Sequence, residues 1–193
     1  MKLSLDISMS SRLWRGLPRA RAIARQTIAA AIAESGAALG IDRPEGRASF
    51  QTPYGAAVSL CLADDAALRA LNLRWRGIDA PTNVLSFPAA PRALVDAVAD
   101  RVPSALSGRA QQAHAPLHLG DIALAYETLK REAEDLGVPL ADHYRHLIAH
   151  GFLHLIGYDH DRDAEAERME ALETRILAAL EVSDPYAREV VGE

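Results

Sequence analysis

At 193 residues, 49% hydrophobic and 24% charged, the chain has the length and composition of one soluble globular domain with a real core. No stretch has the length needed to span a membrane, and a single cysteine, Cys61, excludes an internal disulfide and a cysteine-based zinc ribbon. The formal net charge of −5 does not advertise nucleic-acid binding.

Leu3, Leu5 and Ile7 alternate with polar residues, which predicts a first strand rather than a signal peptide. Pro18 suits a helix start, and an alanine-rich helix follows to about Ser35, closed by Gly36 and Gly40. Residues 47–51 and 57–63 read as strands around the turn Pro53-Tyr54-Gly55, with Cys61 a buried structural thiol in the second. Asp64 and Asp65 cap a helix that runs to Arg76. A short strand lies within Pro81–Pro88 and another over 118–125. Helices are predicted at 126–136, 139–157 and 161–181, the last with a core stripe of Met169, Leu172, Ile176 and Leu180. This order predicts an α+β fold, a small mixed β-sheet packed against helices. One domain is expected over 1–183, with a tail over 184–193. Residues 89–117, with three prolines, read as a long surface loop, either mobile or a lid, in which Leu94–Val102 has room for a short helix.

The run His150-Gly-Phe-Leu-His154-Leu-Ile-Gly157-Tyr-Asp-His160 carries the chemistry. Residues i and i+4 share a helix face, so His150 and His154 aim at one point. Gly157 is suited to end the helix in a left-handed cap, and the returning chain brings His160 to the same point. Three imidazoles with a fourth side open are the ligand set of a catalytic zinc site, which activates water and polarises a carbonyl or phosphoryl oxygen. The spacing H-x3-H-x5-H is metzincin-like. A zincin, however, carries its general-base Glu after the first histidine, where this chain has Gly151. Peptidase chemistry by that route is therefore not expected. His146 reads either as a helix histidine bonded to backbone or solvent, or as an orienter of a ligand imidazole. His114 and His118 read as surface or structural residues. Asp159 suits a cap or a base, and Asp121 an ion pair, a turn or a functional role. Arg76 either answers the dipole of its helix or reaches an anionic substrate.

Charge is uneven: residues 1–25 carry a net +5 and residues from Asp159 onward a net −7. Nineteen basic residues are arginine, the better fork for phosphate, but genome composition, visible also in the abundant alanine, is the better account of that total, and a phosphate role is kept for a few positions.

His150–His160 resembles the HGxLHLxGYDH motif of the YbeY family, bacterial rRNA maturation endoribonucleases. Leu71-Asn-Leu-Arg-Trp-Arg76 with Pro81-Thr-Asn-Val-Leu-Ser-Phe-Pro88 resembles its second segment, Leu119-Gly-Asp-Ile122 its third, and Asp184-Pro-Tyr186 a tail of some members. The resemblance spans roughly residues 45–186; the 89–117 segment is longer than is usual in the family. It implies a small α+β catalytic domain with a metal in a cleft. The implied activity is metal-dependent cleavage of single-stranded RNA in 16S rRNA 3′-end maturation and ribosome quality control. His150, His154 and His160 would hold one Zn2+ per chain, and Arg76 and His150 would carry catalysis, Arg76 by meeting phosphate or developing negative charge. The implied partners are precursor small-subunit rRNA, a small ribosomal subunit protein and a ribosome-associated GTPase, in the cytoplasm, with no membrane or DNA partner. Two other readings remain: a non-catalytic ribosome assembly factor with a structural zinc, and a metallohydrolase of another class such as a peptidase or amidase.

Overall fold

In the computed structural model, which describes residues 3–38, 56–89 and 116–187, four strands form one sheet. They are β1 (Leu3–Met9), β2 (Ala56–Ala63), β3 (Val84–Pro88) and β4 (Leu117–Ala125), in the order β1-β2-β4-β3. The first three in that order run parallel, and β3 is antiparallel on the edge. Parallel pairing of β1 with β2 requires a crossover, which contains α1 (Ala20–Ala38). The expected α+β class and mixed sheet are therefore present.

Alternation along β1 and β2, and in β4 a register shift at Leu119 that brings it to the same side as Ile122 and Leu124, decide which face is core. Leu5, Ile7, Val58, Leu60, Leu62, Leu119, Ile122 and Leu124 are buried in one cluster with residues of α1, α4 (Leu140–Leu155) and α5 (Asp163–Ala178). Met169, Leu172 and Ile176 fill it from α5 as the stripe predicts, while Leu180 lies just past the helix end. The opposite face receives α2 (Asp65–Arg76), whose Leu68 packs on Ala63, Leu85, Ala123 and Ala125. The remaining helix, α3 (Tyr126–Leu136), follows β4 directly.

A 3-10 turn at Arg12–Gly16, which the sequence did not suggest, buries Trp14. Its indole N–H donates to the Ala63 carbonyl at 2.7 Å, and its ring packs against Tyr126 and Tyr144.

Several boundaries differ from expectation. The 139–157 and 161–181 helices are shorter at both ends. The 81–88 strand begins only at Val84, because Asn83 bends the chain. Its side-chain oxygen accepts from the Val84 N–H at 2.6 Å, and its carbonyl accepts from Ala125 at 2.9 Å. The 47–51 strand, its turn at 53–55, Gly40, the helix at 94–102 and residues 188–193 lie outside the described residues, as does most of the 89–117 segment. Both edges of β2 are taken, by β1 and by β4.

Candidate metal centre

Helix α4 presents His150 and His154 one turn apart, and the chain then reverses. Gly157 adopts φ 90°, the left-handed conformation that a side chain would strain. Its N–H bonds the His154 carbonyl at 3.1 Å and the Tyr158 N–H bonds the Leu153 carbonyl at 3.0 Å, a Schellman ending. The reversal returns His160 to the helix. One nitrogen from each of His150, His154 and His160 lies within 4.8 Å of the others. The three histidines that sequence spacing singled out therefore converge.

The two helix imidazoles are oriented from behind. His150 Nδ1 meets Glu173 Oε1 at 2.9 Å, and His154 Nδ1 meets the Tyr158 carbonyl at 3.0 Å. Both acceptors place the proton on Nδ1, which leaves both Nε2 lone pairs facing the centre, only 3.1 Å apart. Two lone pairs at that separation repel, and a cation between them removes the repulsion. Burial holds the His154 pKa below its ordinary value, with positive charge on His150 or His160 acting in the same direction. A neutral imidazole is the form that binds a metal. The donor set thus fits a metal ion of the borderline-soft kind.

Glu173 was not anticipated, although it is the centre's main support. It is fully buried on α5. Its second oxygen accepts from His146 Nε2 at 2.9 Å and from the Tyr186 hydroxyl. Burial alone would raise its pKa, but the hydrogen bonds from His146, His150 and Tyr186 outweigh it and bring the pKa to about 2. A signal for Glu173 existed in the sequence: it falls on the buried stripe Met169-Leu172-Glu173-Ile176-Leu177. An acid on the apolar face of an amphipathic helix needs a partner. His146 is thereby explained as well, since it fixes the carboxylate that fixes His150.

The histidines line a cleft of about 720 Å³ whose other walls include Arg76, Thr82, Asn83, Ser86 and Asp159. Arg76 reaches it from the end of α2. The loop after α2 is tied back by the Asn72 amide to the Ala80 carbonyl at 2.8 Å and by a two-point Arg69–Asp79 ion pair at 2.6 and 2.8 Å. Asn83 is held by Glu132 at 2.9 Å, and Glu132 also takes His143 Nε2 at 2.8 Å.

Other residues are placed away from the chemistry. Asp121 lies on the opposite face of the sheet and pairs with His118 at 3.2 Å. Asp159 accepts from the His160 N–H at 2.8 Å, so it caps its own turn at the cleft wall. His114 lies outside the described residues. Gly151 has a packing reason. A Cβ there would stand 3.0 Å from Ile122 Cγ2 and 3.1 Å from Ser86 Oγ, so a side chain at this position would have to push those neighbours aside by a few tenths of an ångström.

Residues 42–181 match the family model described as Endoribonuclease YbeY. The chain is 44% identical over 182 residues to a protein named Endoribonuclease YbeY from Bradyrhizobium sp. strain BTAi1, covering 94% of this chain and 91% of that one. It is 46% identical over 182 residues to a protein of the same name from Bradyrhizobium diazoefficiens, covering 94% and 84%. A third, from Rhodopseudomonas palustris strain BisA53, is 54% identical over 132 residues, 68% of each chain.

Proposed function

The chain belongs to the YbeY family, and from this we propose that it is a zinc-dependent endoribonuclease that cuts single-stranded RNA, matures the 3′ end of 16S rRNA and takes part in ribosome quality control. The observation that carries the reading is the convergence of three imidazole nitrogens within 4.8 Å in a cleft that also holds Arg76. Substrates of this kind place the protein in the cytoplasm, with a small ribosomal subunit protein and a ribosome-associated GTPase as partners.

One zinc ion per chain, held by His150, His154 and His160, would supply an activated water and Lewis acidity toward a phosphoryl oxygen. The remaining work belongs to side chains. Arg76 meets a phosphate of the bound strand and the negative charge that develops on it, a task suited to a planar guanidinium. The Thr82 and Ser86 hydroxyls line the path beside it and offer hydrogen bonds to sugar and phosphate, while Asn83, held by Glu132, shapes the wall. Glu173 keeps His150 in one tautomer and one orientation, so the centre does not reorganise during reaction. Gly151 stands where a zinc peptidase carries its general-base glutamate, and it packs closely against Ser86 and Ile122.

Elemental analysis paired with cleavage of precursor rRNA tests the reading. Wild type is expected to carry zinc and cut; His154→Ala is expected to lose both. Full cleavage by a metal-free His154→Ala variant would sink it.

A further inference from the structure

Behind β3 lies a second opening. Helix α2 covers only part of the sheet's back face, and beside it runs a groove of about 730 Å³ whose walls include Leu71, Trp75 and Phe87. Trp75 is 62% exposed. The Phe87 ring stands 6.1 Å from it at 61°, and the Arg74 guanidinium lies 5.4 Å from the indole centroid. Arg74 and Arg76 flank Trp75, and among the described residues neither forms an ion pair with an acid.

The groove and the metal cleft lie on the two sides of one strand, β3. Strand β3 is the sheet edge, and Ser86 and Pro88 line both openings. Successive strand residues face opposite ways, so Ser86 lies toward the histidines while Phe87 lies toward Trp75. A chain whose phosphate rests at Arg76 therefore crosses the β3 edge to reach an exposed indole that Arg74 and Arg76 flank in sequence. Two acids also line the groove. Asp121, opposite Phe87 in the ladder, pairs with His118 at 3.2 Å, and Asp6 lies on β1, the other edge strand of the sheet from Phe87.

We propose that Trp75 and Phe87 form a base-stacking subsite for single-stranded RNA, one step beyond the metal cleft and across the β3 edge. The proposal rests on the endoribonuclease reading above. Aromatic stacking accepts any base, because every base has a π face, and it requires a base splayed out of a duplex. The subsite thus gives grip without sequence preference and selects single strands.

Trp14, the other tryptophan, is 1% exposed, so fluorescence change on ligand addition reports Trp75. The zinc-loaded protein is titrated with a single-stranded 2′-O-methyl oligouridylate and with the same oligomer annealed to its complement. Quenching is expected with the single strand alone. Trp75→Ala, followed by a label on the oligomer, is expected to weaken binding about 5- to 150-fold. Trp75→Phe should retain most of the affinity, and both variants should keep wild-type zinc content. Unchanged affinity in Trp75→Ala, or equal quenching by the duplex, overturns the subsite; unchanged affinity would leave the exposed face to a protein partner. If the single strand binds as expected yet wild type cuts no RNA, the nuclease reading fails and the stacking site stands.

Discussion

His150 owes its orientation to Glu173, a residue 23 positions away in sequence. A carboxylate behind a ligand imidazole fixes its tautomer and raises its basicity, and losing such a partner typically costs about 10- to 100-fold in metal affinity. Glu173→Gln is therefore expected to weaken zinc binding by that factor in competition with a chelating dye, while circular dichroism stays unchanged. The amide fills the same space but no longer carries the charge that His146 and Tyr186 also address. Arg76 belongs to the same scale with a different signature. Arg76→Glu keeps the fold and the zinc but places a negative charge where phosphate should rest. By analogy with the loss of one preorganised donor, cleavage should fall by about 10²- to 10³-fold; a metal serving only as a staple would leave RNA processing unaffected by this change.

Helix α4 is the element on which the site is built, and it is held on every side. Its inner face joins the core through Tyr144, Ile148, Phe152 and Leu155. Gly151 lets it approach β3 and β4 closely, and its C-terminal turn carries His160 back to it. The segment after the helix has much less support, because Asp159 to Arg162 are exposed. A bound ion would join that segment to α4, so chelation should act locally. The melting temperature is expected to fall with chelator and to rise with added zinc; an ion at 100 times its Kd stabilises by about 2.7 kcal/mol. Hydrogen exchange should quicken over residues 157–162 on metal removal while the amides of β2 and β4 keep their protection. Uniform loss of protection would show instead that the ion supports the whole fold.

Across the whole molecule, a chain of net charge −5 is expected to bind RNA through a few placed cations rather than a basic surface. Arg74 and Arg76 stand at the end of α2, and Arg76 shares its cleft with Asp159, Asp161 and Glu165, whose charge a bound metal ion would offset. RNA binding should then weaken with salt, and replacing one phosphate-contacting arginine by Ala should reduce the slope of log affinity against log salt by about 0.7. Legibility followed the range of the interactions. The three histidines could be read because helix periodicity and the left-handed turn at Gly157 are properties of neighbouring residues. Strand β1 was legible from alternation and β2 and β4 from short apolar runs, yet their order and the reversal of β3 were not, since pairing joins Leu3 to Ala56 and Ser59 to Asp121 across long stretches of chain. Glu173 looked like one more acid in an acidic helix until α5 packed against α4. By itself, then, the sequence determined the described strands and α-helices to within a few residues at their ends, the α+β class and the convergence of His150, His154 and His160. Only the tertiary structure decided that Glu173 stands behind His150, that Arg76 shares the histidines' cleft, and that Trp75 lies exposed across the β3 edge. Those relations depend on which surfaces bury against one another, and local spacing does not encode that choice.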